Sequence, residues 1–459
     1  MFFVAILYLF VGIGYLIYEF NYISRIKKLE IISLFRLMYS VIYGFLPAIM
    51  LYRIGTGNGG TLYMEESEYA VNMLIALVIS VVEYVVLTLF YYGTKKSRAN
   101  QKTYPELSLT TQKVSLTAVC LIGFLSLILW TRAFGSIMNF IVNADAIRAN
   151  YSNVYNPFAF MEHFTKVFLF AFFVVMALLI REKRQGKIRI YTVLLMIATL
   201  AGAITVMLCT DSRGTIGTLI IVTVLYILNE KMENMNFPVG KAIKILVIFV
   251  AVGFVAIVSS EGIMSAFRGS GAAESSASGS KGLIDTFIVE FGYTFHSQAM
   301  AIKTVMENPF QTMFLNDIVG GITAWVPSRF IPFELPLDIW DYNSQLLSNV
   351  SFFYGQSPTD FVTTTLYWFG PMGIFAGPAL MGWLLKKIET GLRRATYSPY
   401  LMAVYARFMY YSIWWVSHCS IQYTMLGVFG MFLVHMTMVV SRSVFKDSRK
   451  IRGDNGVWA

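Results

Sequence analysis

The sequence predicts an all-α, polytopic membrane protein. The chain has 459 residues, of which 56% are hydrophobic and only 14% are charged, whereas a soluble protein carries about 25% charged residues. Its mean hydropathy is +0.61. The apolar residues come in runs of about twenty, the length a helix needs to cross about 30 Å of hydrocarbon. These runs are continuous, which excludes the alternating pattern of a membrane β-barrel.

Eleven of these runs are predicted to span the membrane, and together they form a single membrane domain over residues 1–459. The run that begins at Phe2 has neither a basic leader nor a small-residue cleavage site, so we interpret it as a retained helix. The predicted spans are 2–22, 32–52, 70–93, 114–133, 158–180, 190–210, 214–229, 242–260, 360–385, 397–416 and 422–441.

Basic residues predict the orientation of the chain. Alternate segments between the spans, together with the C-terminal tail and some helix ends, hold 26 of the 36 lysines and arginines. By the positive-inside rule these segments face the cytoplasm, which puts the N-terminus outside and the C-terminus inside. The net charge of +10 is therefore explained by topology and does not indicate nucleic-acid binding.

The longest polar interval, residues 261–359, is predicted to be one large extracytoplasmic loop with short helices between spans 8 and 9. Within it, Pro327, Pro332 and Pro336 exclude a regular helix around Arg329. A stiff turn that holds an arginine beside aromatic rings can bind an anionic ligand that carries sugars. The alternative is a surface connection between helices. The aromatic neighbours are Trp325, Phe330, Phe333 and Trp340.

Residues 283–306 have helical spacing of apolar side chains, which favours a helix lying in the membrane interface. Glu290 and His296 lie on it, and we expect this titratable pair to face a substrate cavity. The alternative for His296 is hydrogen-bonded packing.

A tight hairpin between spans 6 and 7 contains Asp211, Ser212 and Arg213. Asp211 or Ser212 can cap the following helix, and an arginine beside a helix start makes a compact site for phosphate. The alternative is an arginine that extends to the lipid headgroups. An amphipathic helix is also predicted at 136–149, where Arg148 lies one turn after Asp145 and can pair with it.

The tenth span places Arg407, Tyr411, Trp415 and His418 on one stripe. A charge near the middle of a span is costly unless it lines a cavity or has a partner, and Glu83 in the third span is the partner to test.

Common cofactor motifs are absent from the sequence. It contains no Walker loop, no D-x-D and no H-E-x-x-H, and the formal G-x-G-x-x-G at 55–60 follows a membrane helix, so it predicts a turn. Cys120, Cys209 and Cys419 show no disulfide or metal-ligand spacing. We therefore expect no cofactor and no metal.

Several of these features together resemble the bacterial O-antigen and capsule repeat-unit polymerases of the Wzy type. The resembling stretches are Asp211-Ser-Arg-Gly214 at a hairpin, a single large loop before the last spans, Glu290 to His296, Trp325-Val-Pro-Ser-Arg-Phe-Ile-Pro332, and Asn349 to Gly355 leading into Leu366 to Gly373. The chain departs from the family pattern at Phe333-Glu-Leu-Pro336, where many relatives have lysine and proline.

The resemblance implies a glycosyltransferase with a fold related to class C, in the bacterial plasma membrane, with its active site facing the periplasm or exterior. Its substrates would be oligosaccharide units on a polyprenyl diphosphate, both as donor and as acceptor, with membrane lipids around it and a flippase and chain-length regulator in the same pathway. Arginines would hold the leaving diphosphate, with Arg213 and Arg329 first, then Arg148 and Arg268, then Arg407. Glu290, His296, Asp211 and Asp338 compete as the base.

Two other functions fit the same sequence. A ligase would use the same lipid-linked donor and differ only in its acceptor. A transporter or flippase for lipid-linked sugars belongs to another class, and the long loop with charges on one side disfavours it.

Overall fold

Every regular element in the described part of the protein is a helix. The computed structural model describes residues 1–58, 63–94, 108–148, 154–210, 213–234, 240, 244, 283–327, 330–348, 357–392 and 398–453. The helices are α1 (Phe2–Ile26), α2 (Ile31–Ser40), α3 (Leu46–Gly55), α4 (Glu66–Gly93), α5 (Leu109–Thr131), α6 (Ile137–Val142), α7 (Ala144–Arg148), α8 (Glu162–Thr165), α9 (Val167–Arg184), α10 (Ile190–Thr210), α11 (Arg213–Asn234), α12 (Leu283–Glu307), α13 (Phe314–Thr323), α14 (Ile339–Ser348), α15 (Phe361–Phe369), α16 (Gly373–Leu392), α17 (Pro399–Ser417) and α18 (Ile421–Gly453).

Nine helical segments among the described residues are long and apolar enough to cross a membrane. They correspond to nine of the eleven predicted spans and confirm a polytopic helical membrane protein. The predicted span 242–260 lies outside the described residues except for position 244. The predicted span 397–416 is helix α17, which is not among the nine.

Helix α17 lies in the interior of the bundle. One core cluster joins α1–α4 to the helices that follow residue 283 and includes Tyr405 and Met409 of α17. A second cluster joins α5, α9, α10 and α18 and includes Met402 and Ala406 of α17. Because α17 is surrounded by other helices, it tolerates Arg407 and several tyrosines that a lipid-facing helix would not.

Three local elements of the structure agree closely with those predicted from the sequence. The helix predicted at 283–306 is α12, the amphipathic stretch at 136–149 forms α6 and α7, and the hairpin between spans 6 and 7 leaves two residues between α10 and α11. Helix α12 packs against α3, α4 and α15 with Phe295, Ala299 and Ile302 buried. One face of α12 therefore packs against the bundle, and its position in the membrane interface stays a prediction.

Candidate functional site

The short link between α17 and α18 is held from two sides. The Cys419 amide donates to the Thr359 carbonyl at 2.7 Å, and Thr359 and Thr364 donate their hydroxyls to the Cys419 carbonyl at 2.8 and 2.9 Å. On the other side, the Tyr293 hydroxyl of α12 donates to the Ser417 carbonyl at 2.9 Å. The link is therefore a fixed platform between α12 and the start of α15.

Four rings surround this link, and we call them the aromatic cluster: Trp340, Trp414, His418 and Tyr423. Trp340 stacks on Tyr423 with ring centres 3.7 Å apart, and Trp414 stacks on His418 at 5.4 Å. Trp340 is only 7% exposed, and the described residues give its Nε1 no hydrogen-bond partner. A buried N–H without a partner is costly, so this position favours a ligand that supplies an acceptor.

Asp338 lies at the edge of the aromatic cluster. Its Oδ1 accepts the backbone N–H groups of Trp340 and Asp341, each at 2.8 Å, and so caps the start of α14. Those two bonds lower the pKa of Asp338, but burial outweighs them and raises it to about 7. A carboxyl that titrates near neutral pH can act as a base or as an acid.

Tyr293 of α12, one turn after Glu290, reaches the same region. The Tyr293 hydroxyl is 3.1 Å from Nδ1 and 3.0 Å from Nε2 of His418, and the charge of Glu290 acts on Tyr293. Burial lowers the pKa of His418 to about 4, so its imidazole is neutral at pH 7. Tyr293 and His418 therefore form a polar pair beside the aromatic rings, and Glu290 lies one turn before Tyr293 on α12.

His296 has different neighbours from Glu290. Its Nδ1 is 2.9 Å from the Tyr69 hydroxyl, and its ring packs edge-on against Tyr63. Glu290 and His296 are six residues apart, so their side chains point in directions about 120° apart around the helix axis. Burial lowers the pKa of His296 to about 4. These contacts agree with the alternative that His296 is a hydrogen-bonded residue of the packed interior.

Arg407 is 9% exposed and lies deeper along α17 than the aromatic cluster. Its Nη2 donates to the Tyr411 hydroxyl at 3.3 Å, and the guanidinium lies over the rings of Tyr410 and Tyr411. Its Nη1 has no hydrogen-bond partner among the described residues. Glu83 instead accepts a hydrogen bond from Thr365 at 2.6 Å, and no ion pair joins it to Arg407, although both side chains are described. The suggested Arg407–Glu83 partnership is therefore not formed.

Several predicted site residues cannot be compared with this geometry. Asp211, Arg268 and Arg329 lie outside the described residues. Arg148 and Arg213 are placed in α7 and α11 by their backbones, and their side chains lie outside the description.

The aromatic residues expected around Arg329 have separate environments. Trp325 donates its Nε1 to the Met425 carbonyl at 2.7 Å and stacks on Phe432 of α18. Phe330 and Phe333 are exposed. Only Trp340 of that group joins the aromatic cluster.

Tyr293, Trp414 and Tyr423 were not singled out from the sequence, and His418 was noted only as part of a helical stripe. A usable signal existed, because Trp414-Trp-Val-Ser-His418 and Tyr423 flank the short break between the last two apolar helices. Where two helix ends meet, the polar and aromatic residues on both sides of the break are brought close together.

The fold and this site define a polytopic α-helical membrane protein with a buried aromatic and polar cluster at one helix–helix link. No family model, curated protein or solved structure matches the chain. Within the described ranges, no three His, Cys, Asp or Glu side chains are grouped so that they could hold a metal ion.

Proposed function

We propose that this protein is a glycosyltransferase that polymerises oligosaccharide repeat units carried on a polyprenyl diphosphate. The observation that carries the proposal is Asp338, a buried carboxyl whose pKa is raised to about 7, beside the stacked rings of the aromatic cluster. Stacked rings support the faces of sugars, and a carboxyl that titrates near pH 7 accepts a hydroxyl proton.

In the proposed reaction, a hydroxyl of one lipid-linked unit attacks the anomeric carbon of the growing chain. The new C–O bond forms as the bond to the diphosphate breaks, and the diphosphate leaves with the electron pair. Asp338 takes the hydroxyl proton. Glu290, one turn before Tyr293 on α12, is the second candidate for this base. His296 and Asp211 remain candidates. The Nδ1 of His296 lies within hydrogen-bond distance of the Tyr69 hydroxyl, and Asp211 lies outside the described residues.

The leaving diphosphate requires positive charge, and Arg407 is the described arginine that best supports this role. Its side chain is buried, and its guanidinium contacts the Tyr411 hydroxyl and the rings of Tyr410 and Tyr411, all of which are neutral. Among the described residues, no carboxylate forms an ion pair with it. A buried cation without a carboxylate is costly, and an anionic ligand offsets that cost. Arg213, Arg329, Arg148 and Arg268 remain proposed contributors.

Helix packing supports Arg213 in particular. Asn229 of α11 donates to the sulfur of Met402 of α17 at 3.3 Å. The proposed topology runs these two helices antiparallel, and Arg213 precedes Asn229 by as many residues as His418 follows Met402. The start of α11 would therefore lie level with the aromatic cluster.

The wider setting follows from the same proposal. The protein would have eleven spans, an outside N-terminus and a class C-like fold in a bacterial plasma membrane. Its site would face the periplasm or exterior, where a flippase delivers lipid-linked units and a chain-length regulator sets the polymer size. We propose no cofactor and no metal.

The direct test is to incubate purified protein with a lipid-linked repeat unit, with and without chelator, and to separate the glycans by size. We expect a ladder in both conditions. A ladder that disappears in chelator and returns with magnesium contradicts the metal-independent reaction. Movement of the unit across a vesicle bilayer without a ladder would favour the transporter instead.

Variants Arg213→Ala, Arg329→Ala and Arg407→Gln extend this test. Removing a donor to the leaving group lowers turnover by a factor of about 10²–10³. Lysine in place of each arginine should restore little of the activity, because an ammonium group cannot donate two parallel hydrogen bonds. Arg53→Ala is the matched control, since Arg53 pairs with Asp285 at a half-exposed position. Normal ladders from all three variants would remove the proposed diphosphate site.

A further inference from the structure

Asp317 of α13 is completely buried, and neither the sequence analysis nor the proposed reaction uses it. Its Oδ2 accepts the Trp368 indole N–H at 3.0 Å and the Ile421 backbone N–H at 2.9 Å. Its Oδ1 accepts the Ser420 hydroxyl at 2.9 Å and the Gln422 backbone N–H at 3.4 Å. One carboxylate thus receives four donors from α15, from the link and from the first turn of α18.

These bonds make Asp317 a cap for α18 that comes from a distant part of the chain. The first amides of a helix have no partner within the helix, and a carboxylate satisfies them and also interacts favourably with the helix dipole. Ser420 adds the local cap, because its hydroxyl accepts the Tyr423 amide at 3.4 Å. Two caps on one turn hold its position more firmly than either cap alone.

The surface of α13 around Asp317 is shaped for this contact. Gly320 and Gly321 lie one turn further along, and a Cβ at either position would overlap the side chains of Gln422 and Ile421. The two glycines therefore let α13 approach the start of α18 closely enough for the carboxylate to reach its amides.

We propose that Asp317 is a positioning residue that holds Tyr423 against Trp340 and so fixes the sugar-binding face of the aromatic cluster. Tyr423 lies in the turn that Asp317 caps, and its ring is parallel to that of Trp340 within 10°. Stacked rings with centres 3.7 Å apart leave little room for movement of the helix start. The sugar-binding role in this inference rests on the proposed function. The capping of α18 by Asp317 does not.

The test begins with hydrogen–deuterium exchange in Asp317→Asn, read on a peptide that covers residues 421–424. The amide side chain keeps one acceptor and loses the other, so we expect exchange of this turn about tenfold faster than in the wild-type protein. Asp285→Asn is the matched control, an acid-to-amide change in α12 at a half-exposed ion pair, and should leave this peptide unchanged. Equal exchange in all three proteins would overturn the capping.

The second measurement is polymerisation kinetics for the same proteins. A displaced aromatic face weakens binding of the sugar, so Asp317→Asn should raise KM for the lipid-linked unit about tenfold while kcat stays within about threefold. Faster exchange with an unchanged KM would contradict the positioning role and leave the proposed polymerase intact. A wild-type protein with no activity contradicts the proposed function and with it the sugar-binding role, while the exchange experiment still decides the capping.

Discussion

One fully buried ion pair lies away from the candidate site. Arg36 of α2 and Glu19 of α1 lie 3.1 Å apart, and both side chains are fully buried. The guanidinium also lies 5.4–5.7 Å from the rings of four tyrosines, which are Tyr18, Tyr22, Tyr84 and Tyr92. Cation–π contacts and one carboxylate together compensate a charge that hydrocarbon would otherwise exclude.

Replacing Glu19 should therefore destabilise the protein strongly. In Glu19→Ala the buried Arg36 loses its counter-charge, and we expect a loss of about 3–5 kcal/mol in unfolding free energy. Thermal unfolding of the purified protein in detergent measures this. Asp285→Ala breaks a half-exposed pair and should cost about 0–1 kcal/mol. Equal melting temperatures for the two variants would show that the Arg36 pair is not compensating a buried charge.

Asp338 gives the pH dependence of the proposed reaction. Burial raises its pKa to about 7, and only the ionised form can accept a proton. The value of kcat/KM should therefore rise with pH and level off above about 7. Asp338→Asn should remove both the rise and most of the activity. An unchanged pH profile in that variant would assign the base to another residue, with Glu290 the next to test.

At the scale of helices, close packing of α1 on the second span depends on two glycines. Gly12 of α1 faces Gly44, which lies in a π-helical turn at Val41–Phe45 between α2 and α3. A Cβ on Gly44 would overlap the Cα of Gly12. Without side chains at these two positions the backbones meet, as at other contacts between membrane helices.

Gly44→Ala should therefore force the two helices apart. Overpacking of this kind costs about 1–3 kcal/mol, which a lower melting temperature would report. Gly14→Ala is the control in the same helix pair, because a Cβ there meets no atom within 4 Å. We expect Gly14→Ala to be neutral or slightly stabilising, since alanine favours the helix. If Gly44→Ala melts no lower than Gly14→Ala, the close crossing does not contribute to stability.

At the scale of the whole molecule, the charges of the loops predict an outside N-terminus and an inside C-terminus. Cysteines introduced at Ser278 and Ser357 should react with a membrane-impermeant reagent added to intact cells, and one at Ser448 should not. The native Cys120, Cys209 and Cys419 are buried and should give a low background. Labelling at position 448 would reverse the orientation and contradict a site on the outer face.

The contacts of the candidate site were predicted less completely than the fold. Asp338, Glu290 and Arg407 were identified as single residues because carboxylates and arginines are rare in this apolar chain. The residues that contact the candidate site were not identified, because these contacts join distant parts of the sequence. Tyr293 and His418 are 125 positions apart, and Asp317 and Ile421 are 104 positions apart. Glu83 was paired with Arg407 by charge alone, whereas its actual partner is Thr365 on α15.

The sequence by itself determined that this is a helical membrane protein and where nine candidate spans lie among the described residues. Each span is a local property, since about twenty apolar residues must form a helix that satisfies its own backbone hydrogen bonds in hydrocarbon. Only the tertiary structure decided that α17 lies inside the bundle and that α12 packs against the spans. It also decided that Trp340 stacks on Tyr423. Such contacts depend on which helix faces meet, and that is decided by packing among many distant residues, which no local pattern of apolar residues encodes.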